Sequence, residues 1–179
     1  TIRVPAQMQP AARKLTGVDF ATNQTGPLPK AWSPELRDAQ IMTSVAALRA
    51  HEMYREAKAG SVEHAWFVVT ALINPVKLKA LHDQHPDAIL APVIARERQG
   101  KNRLPRLLAE TMAHAPPPRT ADEERAQRAA MGHTDATALA RLANPAQFDG
   151  AVQAGRNYIL LDDVLTSGAT INALRAHIE

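Results

Sequence analysis

Tyr158-Ile159-Leu160-Leu161-Asp162-Asp163-Val164-Leu165-Thr166-Ser167-Gly168-Ala169-Thr170 places an apolar run, two adjacent carboxylates and a small, hydroxyl-rich loop in direct succession. Four apolar residues in a row read as a buried strand, because strands of a parallel sheet are covered on both faces. The acids stop that strand. Thr166, Ser167, Gly168, Ala169 and Thr170 then offer hydroxyls and consecutive backbone N–H groups ahead of a helix predicted over 171–178, where the helix dipole favours negative charge. This loop has the chemistry of a phosphate cradle. Asp162 and Asp163 would repel a phosphate, so they suit sugar hydroxyls or a divalent cation held through oxygen. Such a site holds a phosphate and a polyol together.

A second buried strand is predicted over 87–94, followed by Ala95-Arg96-Glu97-Arg98-Gln99-Gly100-Lys101-Asn102-Arg103 and an apolar helix over 104–114. Strand, helix and strand in succession are the βαβ signature, which predicts a parallel sheet with right-handed crossovers. Ligands of open parallel sheets bind beyond the carboxyl ends of the strands. The basic loop after Ile94 and the cradle after Asp163 can therefore face one crevice. The loop is no Walker sequence, since no Gly precedes it at the required spacing and Asn102 stands in place of Ser or Thr. No G-x-G-x-x-G follows any strand, which argues against a dinucleotide-binding enzyme. The fold class is α/β: an open, mainly parallel sheet flanked by helices, with an N-terminal helical extension.

Residues 1–33 contain Pro5, Pro10, Pro27 and Pro29 and no sustained period, and read as an irregular arm. Ser33-Pro34-Glu35 predicts a helix start, and Gly60 a stop, with Ile41, Val45 and Leu48 as a core-facing stripe. His51-Glu52 opens a zinc-helix pattern that Arg55 excludes. Ala65 to Thr70 is a β-prone run, and 75–85 reads as a helix with His82 and His85 on its surface. Pro116-Pro117-Pro118 must be extended. The polar stretch from Arg119 to His133 then fits a mobile lid or an exposed helix held by i,i+4 pairs, and 135–143 another short helix ended by Asn144-Pro145.

The chain has 179 residues, enough for one domain with a sizeable core. Aromatics make up only 4% of it, which predicts tight helix packing rather than an aromatic-rich all-β core. A net charge of +3 does not argue for nucleic-acid binding. The absence of Cys excludes disulfides and thiolate zinc sites. With no apolar run near membrane length and no signal-peptide core, the expected setting is cytoplasmic, without a membrane partner.

The segment from Tyr158 to Thr170 resembles the PRPP-binding motif of type I phosphoribosyltransferases. Gly100-Lys101-Asn102-Arg103, with Leu107, Leu108 and Ala109 in the following helix and Asn144 and Phe148 ahead of the last strand, is most similar to the orphan, competence-associated branch of that family. The resemblance implies that Asp162 and Asp163 bind the ribose hydroxyls and reach Mg²⁺ indirectly, through ribose or water. It implies that Thr166, Ser167, Gly168, Ala169 and Thr170 hold the 5-phosphate, and that Arg96, Arg98 and Lys101 meet pyrophosphate. The partners would be PRPP and a nitrogenous base, the activity a phosphoribosyl transfer of nucleotide metabolism, with a homodimer compatible with it. Residues 1–60 would supply the arm and a base-binding hood, and 61–179 a core lacking the further strand the family carries after its phosphate loop. A non-catalytic PRPP sensor or a regulatory or DNA-uptake module is the alternative that this shortened core implies.

Overall fold

The computed structural model describes residues 39–94, 101–114, 146–165 and 168–179, with the backbone of 2–3, 96–97 and 100. The expectations for Ser33 to Glu35, for Pro116 to Pro118, for the polar stretch after them, for 135–143 and for Asn144 lie outside these residues. In chain order the elements are β1 (Ile2–Arg3), α1 (Val45–Ala50), α2 (Tyr54–Ala59), α3 (Val62–Leu72), α4 (Pro75–Gln84) and β2 (Ile89–Pro92). They continue with β3 (Arg96–Glu97), β4 (Gly100–Lys101), α5 (Leu104–His114), β5 (Asn157–Leu161) and α6 (Ala169–Ile178).

β2 and β5 pair in parallel, Ile89 opposite Tyr158 through Pro92 opposite Leu161, so their carboxyl ends emerge side by side. β1 joins the other edge of β5 antiparallel, with Ile2 opposite Tyr158, giving the order β1-β5-β2. The first residues of the arm are thus a strand, contrary to the irregular reading. Two residues carry too little pattern to announce one; the unpaired edge of β5 supplies the missing hydrogen-bond partners. The described sheet is small, and its class is α/β.

Period-two alternation distributes the strand side chains to two faces. Ile89, Ala91, Val93 and Tyr158 pack with Phe148 and with Ala173, Leu174 and Ile178 of α6. Leu90, Ile159 and Leu161 face the other way, onto Ala109 and Met112 of α5 and Leu78 and Leu81 of α4. The buried hydroxyl of Tyr158 accepts the Gln153 N–H at 2.9 Å, so no polar group is stranded there. A third cluster is all-helical: Leu48, Ala57, Ala65, Val68 and Val69 close on Leu104 and Leu107 at the start of α5.

Three helical expectations need correction. The long helix up to Gly60 is instead α1 and α2, with residues 39–44 non-helical and a break at His51 to Met53. Ser44 starts α1, its hydroxyl accepting the Ala47 N–H at 3.0 Å, while Gly60 ends α2 as expected. Of the predicted stripe only Leu48 is buried; Ile41 and Val45 are exposed. The β-prone run from Ala65 to Thr70 is helix, within α3. Ser61 caps it by accepting the His64 N–H, and Glu63 lies in its first turn. Ala65, Val68 and Val69 recur at helical spacing toward the core, which outweighs the β preference of Trp66 and Phe67, both on the outside. His82, expected at the surface, is buried, because it shares the face of α4 that carries Leu78 and Leu81. Among the described residues no helix is long and apolar enough to cross a membrane.

Candidate functional site

The two parallel strands deliver the candidate residues to one edge of the sheet. Beyond β5 come Asp162 and Asp163; beyond β2 comes the basic segment. That segment is a hairpin rather than an open loop: β3 and β4 pair antiparallel, Arg96 opposite Lys101 and Glu97 opposite Gly100. Arg98 lies outside the described residues, as do Thr166 and Ser167. Gly168 has φ 72°, a left-handed conformation that suits glycine, and it leads straight into α6. Ala169 and Thr170 form the first turn of that helix and are half-buried. Their backbone N–H groups belong to the end of α6 where anions are favoured.

The acidic pair is tightly folded on itself. Asp163 donates its backbone N–H to Asp162 Oδ1 at 2.9 Å. Burial, followed by the neighbouring Asp163 charge, pushes the Asp162 carboxyl up to about 8. The Asp163 side chain is only 7% exposed, and its Oδ2 makes no hydrogen bond. That oxygen faces Lys58 Nζ on α2 at 3.6 Å, an ion contact beyond hydrogen-bond length. Lys58 also lies 5.9 Å from the centre of the Tyr54 ring. Burial raises the Tyr54 phenol above its ordinary range, with the Lys58 charge working in the opposite direction. On the first turns of α6, Asn172 Oδ1 is likewise buried without a hydrogen-bond partner.

The hairpin meets α2 at Gly60. This residue caps α2 at φ 114°, and a Cβ there would lie 3.2 Å from the Lys101 carbonyl oxygen. Arg103 donates from Nε to the Gly60 carbonyl at 3.3 Å, and buried Asn102 caps α5 by accepting the Leu104 N–H at 3.2 Å. Lys101 is therefore fixed beside the end of α2, against Gly60, two residues after the Lys58 that meets Asp163. Gly60→Ala combines a disfavoured φ with this close approach and should lower stability by about 1–3 kcal/mol. Urea denaturation measures it; a midpoint unchanged from wild type would contradict the packing of α2 on the hairpin.

The magnesium contact expected of Asp162 and Asp163 is an indirect one. An ammonium already stands against Asp163, and among the described residues no third His, Cys, Asp or Glu completes a metal-binding group. Contact through a ligand's own oxygens remains compatible with their geometry. Lys58, Tyr54 and Asn172 escape sequence reading. Lys58 in particular sits in an ordinary stretch of helix, and only the tertiary packing of α2 carries it to Asp163.

No protein-family model matches the chain, and no solved structure matches it. Over 153 residues it is 31% identical to an uncharacterized protein of Haemophilus influenzae, a match covering 82% of this chain and 33% of that protein. Over 129 residues it is 36% identical to Protein TraN of Escherichia coli, covering 70% of this chain and 28% of TraN. The chain thus spans about a third of the length of these curated relatives. Neither name states a reaction.

Proposed function

We propose that the protein binds PRPP, as a phosphoribosyltransferase-like domain, and transfers its phosphoribosyl group to a nitrogenous base. The observation that carries this reading is the shared sheet edge: adjacent parallel strands send out a basic hairpin and an acidic pair, the latter followed by a glycine-initiated helix. In the proposed pose the ribose hydroxyls donate to Asp162 and Asp163. The 5-phosphate sits at the N-terminus of α6, within the loop from Thr166 to Thr170. Arg96, Arg98 and Lys101 neutralise the pyrophosphate. A base nitrogen forms the new bond to the anomeric carbon as the bond to pyrophosphate breaks, with its electron pair leaving on the pyrophosphate oxygen. Positioning and charge neutralisation of that leaving group are the main contributions open to the protein. Asp162 and Asp163 would meet magnesium only indirectly, through the ribose or water, and the ion would supply further neutralisation of the pyrophosphate charge. The wider sheet of the phosphoribosyltransferase fold, and a cytoplasmic setting, form part of the same proposal.

Calorimetric titration with PRPP, with and without Mg²⁺, tests the reading. Wild type should bind, and the Asp162→Asn, Asp163→Asn double variant should lose binding by at least about 10-fold, since the charged acceptor at Asp163 and the carboxyl of Asp162 are removed. Equal affinity in both proteins would sink it. The ammonium already held against Asp163 favours a second reading, a binding module without turnover. Base-dependent release of pyrophosphate separates the two.

A further inference from the structure

Asp163 presents a buried oxygen with no hydrogen bond, yet a cation stands 3.6 Å away. The separation leaves the lone pairs of Oδ2 without a hydrogen bond. Lys58 is also held where it is. Its helix ends at Gly60, whose carbonyl accepts from Arg103 and where a Cβ would lie 3.2 Å from the Lys101 carbonyl oxygen. Tyr54, one turn earlier on α2, places its ring 5.9 Å from the Lys58 ammonium. The side chain is 21% exposed, so the ion contact is largely shielded from water.

We propose that Lys58 is the resident counter-ion of the acidic pair, a selectivity residue that keeps free divalent cations off Asp163 while leaving Oδ2 without the hydrogen bond that a sugar hydroxyl can supply. A metal ion within coordinating distance of Asp163 would stand beside the Lys58 ammonium, and like charges in a partly buried site repel strongly. A neutral diol meets no such repulsion. Its hydroxyl can donate to the unpartnered Oδ2 once that buried oxygen is uncovered. The ligand class admitted is therefore an uncharged polyol whose phosphate lies elsewhere, toward α6. For the identity of this polyol the inference rests on the sugar-phosphate reading above; for the exclusion of metal it does not.

Titration of the whole chain with Mn²⁺ alone, followed by electron paramagnetic resonance, tests it. Lys58→Met should bind Mn²⁺ at least about 10-fold more tightly than wild type, because the repelling charge is gone. Lys58→Arg, which keeps the charge, should match wild type, and adding Asp163→Asn to Lys58→Met should erase the gain. Equal Mn²⁺ affinity in wild type and Lys58→Met overturns the proposal. Should Lys58→Met fail to fold, wild type and Asp163→Asn decide: the same weak binding in both supports it, and Mn²⁺ binding that disappears in Asp163→Asn overturns it. Metal-free titration with ribose 5-phosphate runs alongside. Its failure, with the Mn²⁺ pattern intact, removes the sugar-phosphate reading and leaves the role of Lys58 standing.

Discussion

Asp162→Asn is expected to stabilise the protein in alkaline solution, on the order of 3–5 kcal/mol at about pH 9, and to flatten its pH dependence. The cause is the carboxyl raised to about 8 by burial and by Asp163. Between the ordinary carboxylate range and that value the folded chain holds a proton that the unfolded chain has released. Stability therefore falls as pH rises through this window and levels off above it. Asn keeps the oxygen that accepts the Asp163 N–H but carries no charge to desolvate. Urea denaturation at about pH 5, 7 and 9 reads the effect as the difference between wild type and variant, which cancels the other titrating groups. A difference that does not grow with pH would show that the acidic pair is not strained by its own charge. The growth would mark a site in which stability is sacrificed for a ligand that supplies the missing donors.

Leu174→Ala should cost about 2–5 kcal/mol, the range for truncating a buried leucine in a core that relaxes only partly. Leu174 is fully buried among Ile89, Tyr158 and Phe148, and it is the residue that seats α6 on the sheet. The same helix begins at Gly168, so loosening it moves the candidate anion site as well as the core. Leu174→Met, nearly equal in volume, should cost below about 1.5 kcal/mol. Thermal unfolding of the two variants is the check. A similar small loss in both would mean that α6 contributes little to the core, contrary to its packing.

Much of the sheet and its helices is legible in sequence, because their signals are local. The run Tyr158 to Leu161 is a strand, the interval from Ile89 to Pro92 is its parallel neighbour, and α5 spans the expected 104–114. Glycine at position 60 ends a helix for the reason that made it readable, its access to positive φ. The failures have a common physical origin in tertiary context. Trp66, Phe67, Val68 and Val69 are strand formers by propensity, but burial of Ala65, Val68 and Val69 against α2 and α5 selects helix. The Ser61 cap was a local signal that could have found it. Ile41 and Val45 suggested a stripe that the start at Ser44 breaks. At the site, Asp162, Asp163, Gly168 and Lys101 could be singled out because chemistry clusters along the chain around them. Lys58 and Tyr54 could not, since nothing local distinguishes a lysine that meets a distant carboxylate from one in solvent.

The position of α5 has a consequence for how the described parts hold together. Its first turns, at Leu104 and Leu107, belong to the helical cluster, while Ala109 and Met112 belong to the sheet. One helix thus completes two cores, and neither can lose it without exposing apolar surface in the other. Loss of packing at α3 is therefore expected to loosen the strands as well, with the two clusters unfolding in one cooperative transition. Val164, the neighbour of Asp163, itself packs on the helical cluster that includes Ala57 of the helix carrying Lys58. The spacing of a few ångströms between Asp163 and Lys58 is kept by the cooperativity of folding, with the direct contact as its outcome.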